Sequence, residues 1–432
     1  MRNARNVSSP NRPRLRSIES VIVPDPVHGR ALMLRDSEGI APDAVVMPAS
    51  FADVLARFDG VRTTEQIAAE ATREASTRGR RASQGESGGR AGPRIEAAFV
   101  EKLASQLDEA YMLDSPRFRA RRAEVIGAFA RAPVRAATHA GGAYHGEASA
   151  LARYIEEECL AKAPARKPRG RMVGVCSPHM DLWRCAAGYG HAYRACAEAL
   201  PEDVDTFILL GTCHAPMRRP FTICAKTFAT PLGPLEPDTD ALRKLASASR
   251  FDVEEEQYLH KSEHSLEFQA VFLRHLLGDR PARIVPVLCG LGQAQARGEN
   301  PARDGAAESF VEALCELVEE RRDRVLLVAG ADLAHIGPRF GDPRPLDGAQ
   351  RRRLEARDKT SIGRALAGDA LGFFEHVVED LGTRRVCGVG PIYTLLRALP
   401  GAARGEELHY AQCVDPNEGS IVSHASIGFY VG

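Results

Sequence analysis

Three histidines in this sequence follow the same kind of segment. Arg171 to Asp181 reads RMVGVCSPHMD and carries His179, Asp205 to His214 reads DTFILLGTCH, and Asp323 to Gly337 reads DRVLLVAGADLAHIG and carries Asp332 and His335. Each starts as an apolar run and passes into a small polar turn, the pattern of a strand buried in a parallel sheet. In open α/β sheets the ligand crevice lies outside the carboxyl ends of the strands, so three such endings are expected to converge on one site. A single histidine there is more often a strand cap bonded to backbone. Three in the same slot favour a shared site.

The residue types suit metal binding. His179 and His214 offer imidazole nitrogens, and Cys387 adds a thiol if it reaches the same crevice. It sits in RRVCGVGPIYTLLRAL, where Gly388, Gly390 and Pro391 mark a tight turn into a helix with proline in its first turn. A helix dipole favours a thiolate at that end, and Arg384 and Arg385 are expected to act in the same direction. Cys387 is thus a ligand, a nucleophile or a buried structural cysteine. Two imidazoles and a thiolate suit copper, zinc or iron(II), not magnesium or calcium. A further cluster, EHSLEFQAVFL from Glu263 to Leu273, opens a helix with Glu263, His264 and Glu267. Alone, it reads as an acidic first turn that complements the dipole. Beside the GADLAH segment, Glu263, His264, Asp332 and His335 become candidates for orienting ligands and for acid–base work, with His335 as the proton-transfer group.

To position these residues the chain needs strands near 172–176, 206–210, 283–288, 325–329 and 426–431, alternating with helices near 190–200, 239–248, 265–277, 306–319, 350–367 and 392–398. That alternation predicts an α/β fold over residues 133–432, a mostly parallel sheet flanked by helices on both faces. No GxGxxG or P-loop follows a strand, so no dinucleotide or nucleoside triphosphate site is expected.

Composition bounds the partners. Lys+Arg and Asp+Glu are equal at 57 each in 432 residues, so no global field recruits nucleic acid or an anionic membrane. The start, MRNARNVSSPNRPRLRS, lacks a signal-peptide apolar core, and no run approaches the ~18 apolar residues of a membrane span, so a cytoplasmic, soluble protein is expected. None of the ten cysteines falls in a CxxC pair, and Cys159, Cys224, Cys289 and Cys315 read as small buried hydrophobes. Cys176, Cys213 and Cys387 stand out by their neighbours.

Residues 1–18 read as disordered, and residues 19–131 as a small helical or winged-helix unit. A strand and turn near 31–40 precede a short helix near 49–58, and a capping box from Thr63 to Gln66 starts a second helix. The Ser-, Gly- and Arg-rich stretch from Ser76 to Pro93 reads as a flexible loop, followed by an amphipathic helix from Ile95 to Leu113 and a linking helix from Pro116 to about Ala132. The pattern RDSEGI, FDGVRTTEQI and LDEAYMLDSPRF resembles winged-helix peptide-binding domains of the PqqD type, found beside radical-SAM maturation enzymes. That resemblance implies a peptide ligand and a radical-SAM protein partner.

In order along the chain, AGGAY at 140–144, SPH at 177–179, GTCH at 211–214, EHSLEFQ at 263–269, GADLAH at 330–335 and CGVGP at 387–391 resemble the Memo family, whose bacterial members are called AmmeMemoRadiSam system protein B. The resemblance covers about residues 133–432 and implies the fold of class III extradiol dioxygenases, non-haem iron enzymes. It also implies that His179, His214 and Cys387 hold iron or copper and that Asp332 and His335 line the same pocket. In the dioxygenases the third ligand is a carboxylate where this chain puts Cys387, which sets ring cleavage in question. PHMDLWRCAAGYGHAY departs from the family pattern by adding Asp181, Trp183 and Cys185, and Cys213 replaces Asn or Ser before the second histidine. The function expected is a mononuclear non-haem iron or copper protein with a redox, dioxygenase-like role on a small molecule. The alternatives are a non-catalytic peptide- or protein-binding accessory of a radical-SAM system, and a cysteine hydrolase or transferase using Cys387 with His179 or His335 as base.

Overall fold

The computed structural model describes residues 11–27, 29–82, 94–167, 169–379 and 382–432. The chain divides into two compact units, Met1–Arg131 and Ala132–Gly432.

In the first unit, β1 (Glu19–Asp25), β2 (Gly29–Arg35) and β3 (Val45–Pro48) form an antiparallel sheet in that order. Three longer helices follow: α1 (Thr64–Ala82), α2 (Ala97–Glu109) and α3 (Pro116–Arg131). Thr63 and Gln66 cap α1 reciprocally, the Gln66 amide donating to the Thr63 hydroxyl at 3.3 Å and the Thr63 amide to the Gln66 side chain at 2.9 Å. Leu32, Leu34, Ile67, Val100 and Leu103 share one core.

Two expectations need correction here. Of the stretch read as disordered, residues 1–10 lie outside the described residues, but residues 11–18 are held in place. The Leu15 and Arg16 amides donate to the Phe58 and Met112 carbonyls at 2.8 and 3.1 Å, and the Arg16 guanidinium is buried against Asp36 at 2.6 Å. Polar composition misses such a segment because its order comes from partners far along the chain. The loop read from Ser76 starts later, since α1 runs on to Ala82 and arginine and alanine in STRGRRA favour helix. Residues 83–93 of that loop lie outside the described residues.

The second unit is an α/β fold. Its longer sheet strands and two short margin strands, in chain order, are β4 (Arg171–Ser177), β5 (Thr206–Thr212), β6 (Phe221–Ile223), β7 (Arg283–Cys289), β8 (Val325–Gly330), β9 (His335–Ile336), β10 (Arg404–Val414) and β11 (Ile421–Val431), and the two-residue Glu236–Pro237 also pairs with β7. They lie side by side as β9-β11-β4-β8-β5-β7-β6, with β10 also paired to β11. The central strands β4, β8, β5 and β7 are parallel, and antiparallel strands close both margins. Gly330 is level with Ser177 on one side and with Gly211 on the other, so three strand ends finish in line. These strands are buried almost throughout, which is why they read as apolar runs.

Helices cover both faces. The longer ones are α4 (Leu182–Ala199), α5 (Thr239–Ala248), α6 (His264–Leu277), α7 (Gly305–Glu320), α8 (Gly348–Leu366), α9 (Ala370–Val378) and α10 (Val389–Ala398). Phe310 of α7 and Ile392 and Leu395 of α10 join Ile208, Leu210, Val285 and Leu327 in the largest core, while α4 and α6 pack on each other and on the strands that carry the site. β10 does not emerge from sequence pattern because RGEELHYAQCV is a margin strand of mostly half-exposed residues. Among the described residues, no helix is long and apolar enough to cross a membrane.

Candidate metal centre

His179, two residues beyond β4, is fixed at three points. Its Nδ1 lies 2.9 Å from the Gly330 carbonyl, its amide donates to Asp332 Oδ1 at 3.1 Å, and its Nε2 lies 3.2 Å from Cys387 Sγ. His214, two residues beyond β5, is held by Glu263. The His214 amide donates to Oε2 at 2.8 Å and Nδ1 lies 3.0 Å from Oε1. A carbonyl or carboxylate oxygen can only accept, so each Nδ1 carries a proton and Nε2 is the nitrogen left to bind a ligand once any proton there is lost. Glu263 also caps α6, accepting from the Ser265 amide at 3.0 Å, so the acidic helix start is both a cap and an orienting group.

The turn into α10 delivers Cys387. The Gly388 amide donates to the Asp332 carbonyl at 3.0 Å, and Thr212 Oγ1 donates to the Cys387 carbonyl at 3.1 Å, which ties this turn to the ends of β8 and β5. The ligand atoms of His179, His214 and Cys387 all lie within 4.8 Å of one another. Glycine permits the approach of α6: a Cβ on Gly211 would meet Ser265 Oγ at 2.5 Å, and one on Gly330 the Ser265 carbonyl at 2.3 Å.

Burial opposes a thiolate at Cys387, but the charges of His179 and His335 and hydrogen bonds with His179 and His214 outweigh it and hold the thiol down to about 5. Burial likewise opposes charge on His179, while Cys387 and Asp332 lift it to about 9. For His214 burial is again overcome, chiefly by Glu263, which raises the imidazole well above its usual value. The Glu263 carboxyl is held well down against burial by His214 and His264. His264, stacked on His214 at 4.6 Å between ring centroids, is pushed well down by burial. Without a metal, Cys387 is therefore drawn towards the thiolate and His179 towards the imidazolium. Arg384 and Arg385, expected to favour that thiolate, are engaged elsewhere, with buried Asp358 at 3.1 Å and with Asp342 at 2.7 Å. The histidines supply the positive charge instead.

The other residues singled out divide between the site and its frame. Asp332 is buried with Oδ2 3.6 Å from His179 Nε2. His335 opens β9, with Nδ1 3.1 Å from the Leu333 carbonyl and its ring edge-on to Phe340. Asp181 caps α4, accepting from the Arg184 amide at 3.1 Å, and Trp183 Nε1 donates to the Gly142 carbonyl at 2.8 Å, so both serve the frame. The Cys213 thiol donates to the Ala215 carbonyl at 3.4 Å and is pushed up by burial.

Sequence reasoning missed the group around Glu267. Its carboxylate forms a buried ion pair with Arg135 and accepts from the Tyr144 hydroxyl at 2.5 Å and the His139 amide at 2.9 Å. Arg135 also donates to the His260 and Glu263 carbonyls at 2.9 and 2.7 Å, which ties the stretch before AGGAY to the start of α6, while Tyr144 ties AGGAY itself. The available signal was the spacing of Glu267, one helical turn after Glu263 on the same face.

An α/β sheet whose aligned strand ends gather two imidazoles and a thiol defines a class, proteins with a candidate metal site at the carboxyl edge of parallel strands. Within that class the chain belongs to the Memo-like protein family, whose family model matches residues 135–428. It is similar to a MEMO1 family protein of Aquifex aeolicus at 26% identity over 405 residues, 93% of this chain and 97% of that one. MEMO1 family proteins of Thermococcus kodakarensis and Thermus thermophilus are 29% and 28% identical over 275 and 303 residues, covering 60% and 69% of this chain and 87% and 83% of theirs.

Proposed function

We propose that His179, His214 and Cys387 hold a single iron(II) or copper ion and that the second unit carries out redox chemistry on a small-molecule substrate. One observation carries this reading: both imidazoles have Nδ1 engaged by oxygen acceptors, and they face a thiol held down to about 5. Such a donor set suits either ion. When bound, the ion supplies one-electron exchange.

The chain's residues supply the rest. Gly330 and Glu263 fix the ring orientations, and Asp332 fixes the backbone at His179. With Nδ1 turned to the Leu333 carbonyl, His335 keeps Nε2 to hold or move a proton. Elemental analysis of protein purified without oxygen tests the assignment. About one equivalent of iron or copper is expected in the wild type, and its loss from His179→Ala, His214→Ala and Cys387→Ala with unchanged circular dichroism. Full metal content in Cys387→Ala, or none in the wild type after reconstitution, would sink the reading.

A further inference from the structure

Outside the centre just described, Cys185, Cys413 and His424 come together beneath α4, with one ligand atom from each lying within 4.8 Å of the others. Three different elements contribute. Cys185 sits in the first turn of α4, at a residue whose φ of −122° and ψ of 20° break the helical run. Cys413 lies on β10 and His424 on the antiparallel β11, where Ala411 is level with His424 and Cys413 with Val422. Directly opposed residues share a face, so Cys413 and His424 are diagonal neighbours on the face that α4 covers.

The cluster lacks what an ordinary buried histidine needs. His424 is 1% exposed, and its Nδ1 has no hydrogen-bond partner among the described residues. Native interiors rarely leave such an atom unmatched, and an absent ion is one standard reason. The ring is nevertheless precisely seated. A Cβ on Gly188, one turn beyond Cys185, would meet His424 Cε1 at 2.6 Å. On the other side His409 lies 5.6 Å away, itself stacked on His191 at 4.5 Å between centroids. Burial pushes His409 down to about 4, so it packs as a neutral ring. The thiols are unequal: a hydrogen bond from Cys185 lowers Cys413, while burial raises Cys185.

We propose that Cys185, Cys413 and His424 form a second metal site, separate from His179, His214 and Cys387, for one cation of the zinc class. Two thiolates and an imidazole are three ligands of a tetrahedral site, which leaves one position for water or a further ligand. The Asp332 carboxylate acts on both thiols as well as on His179, so the two sites are electrostatic neighbours. The first centre does not use Cys185.

Full-length Cys387→Ser protein, reduced and freed of metal, isolates the second site, because the first centre has lost its thiolate while, among the described residues, Cys185, Cys413 and His424 still lie within ligand distance of one another. Anaerobic titration with Co2+ should give one equivalent bound, with thiolate-to-cobalt charge-transfer absorption that Zn2+ abolishes. Adding Cys413→Ser or, separately, His424→Gln should remove that band while the circular dichroism stays that of the parent. Absence of the band in fully reduced Cys387→Ser, its persistence with Cys413→Ser added, or closure of Cys185 and Cys413 to a disulfide without metal uptake by the reduced form would each overturn the proposal. Loss of iron or copper from His179→Ala and His214→Ala reports on the first centre independently, so either assignment can fail alone.

Discussion

At Cys387 the neighbours that would deliver a metal also decide what the thiol does without one. Its value near 5 lies far below the ~8.5 of a free thiol, so the thiolate is populated across the neutral range. Alkylation of metal-free protein, followed at Cys387 itself by peptide mapping, should therefore rise with a midpoint near pH 5. A midpoint above ~8 would mean that the histidines do not hold the thiolate. His179 behaves in the opposite sense. Raised to about 9, it is protonated at neutral pH, so metal must displace a proton from the ring. Affinity should climb as pH rises towards 9, with proton release visible as buffer-dependent heats in calorimetry. The stability that His179 adds is complete below its unfolded value of ~6.5 and is lost as pH rises through about 9. That from Cys387 is complete above the thiol's unfolded value and is lost as pH falls through about 5.

At the scale of elements, α6 is the part on which the site depends, held from one side by Arg135 and pressed from the other onto two glycines. Breaking the buried Arg135–Glu267 pair should cost about 3–5 kcal/mol, because truncating one partner strands the other charge. Urea denaturation of metal-free Glu267→Ala measures it, and a cost under ~1 kcal/mol would show the pair to be dispensable. Gly330→Ala drives a methyl towards the Ser265 carbonyl, a backbone atom that yields only if α6 shifts. The expected result is about 1–3 kcal/mol of destabilisation together with weaker metal binding, since Glu263 moves with the helix. Much of this element was legible in advance. EHSLEFQ showed the helix start and its charged face, but nothing local shows that Arg135, more than a hundred residues earlier, is the partner of Glu267.

For the whole molecule, the central strands could be read because burial on both faces leaves an unbroken apolar signature, and the meeting of His179 and His214 could be read because their strand ends align. The margins could not. β10 and the packed segment 11–18 take their order from partners distant in sequence, and their own composition is polar or mixed. Cys413 and His424 stayed hidden for the same reason, since the ligands of the proposed second site meet only once β10 pairs with β11 and α4 covers them.

The strand order also bears on how the chain is made. β4, which leads to His179, pairs with β8 and β11, and both are synthesised long after it; β5, which leads to His214, likewise waits for β7 and β8. A ribosome that has reached residue 320 has therefore exported two very apolar strands, one with both edges bare and the other with one. Nascent chains stalled before Val325 should recruit chaperones and be cut readily by protease, and those released after β11 should not. The two histidines of the proposed centre are made well before the strands that bring them together, and can be assembled only near the end of synthesis.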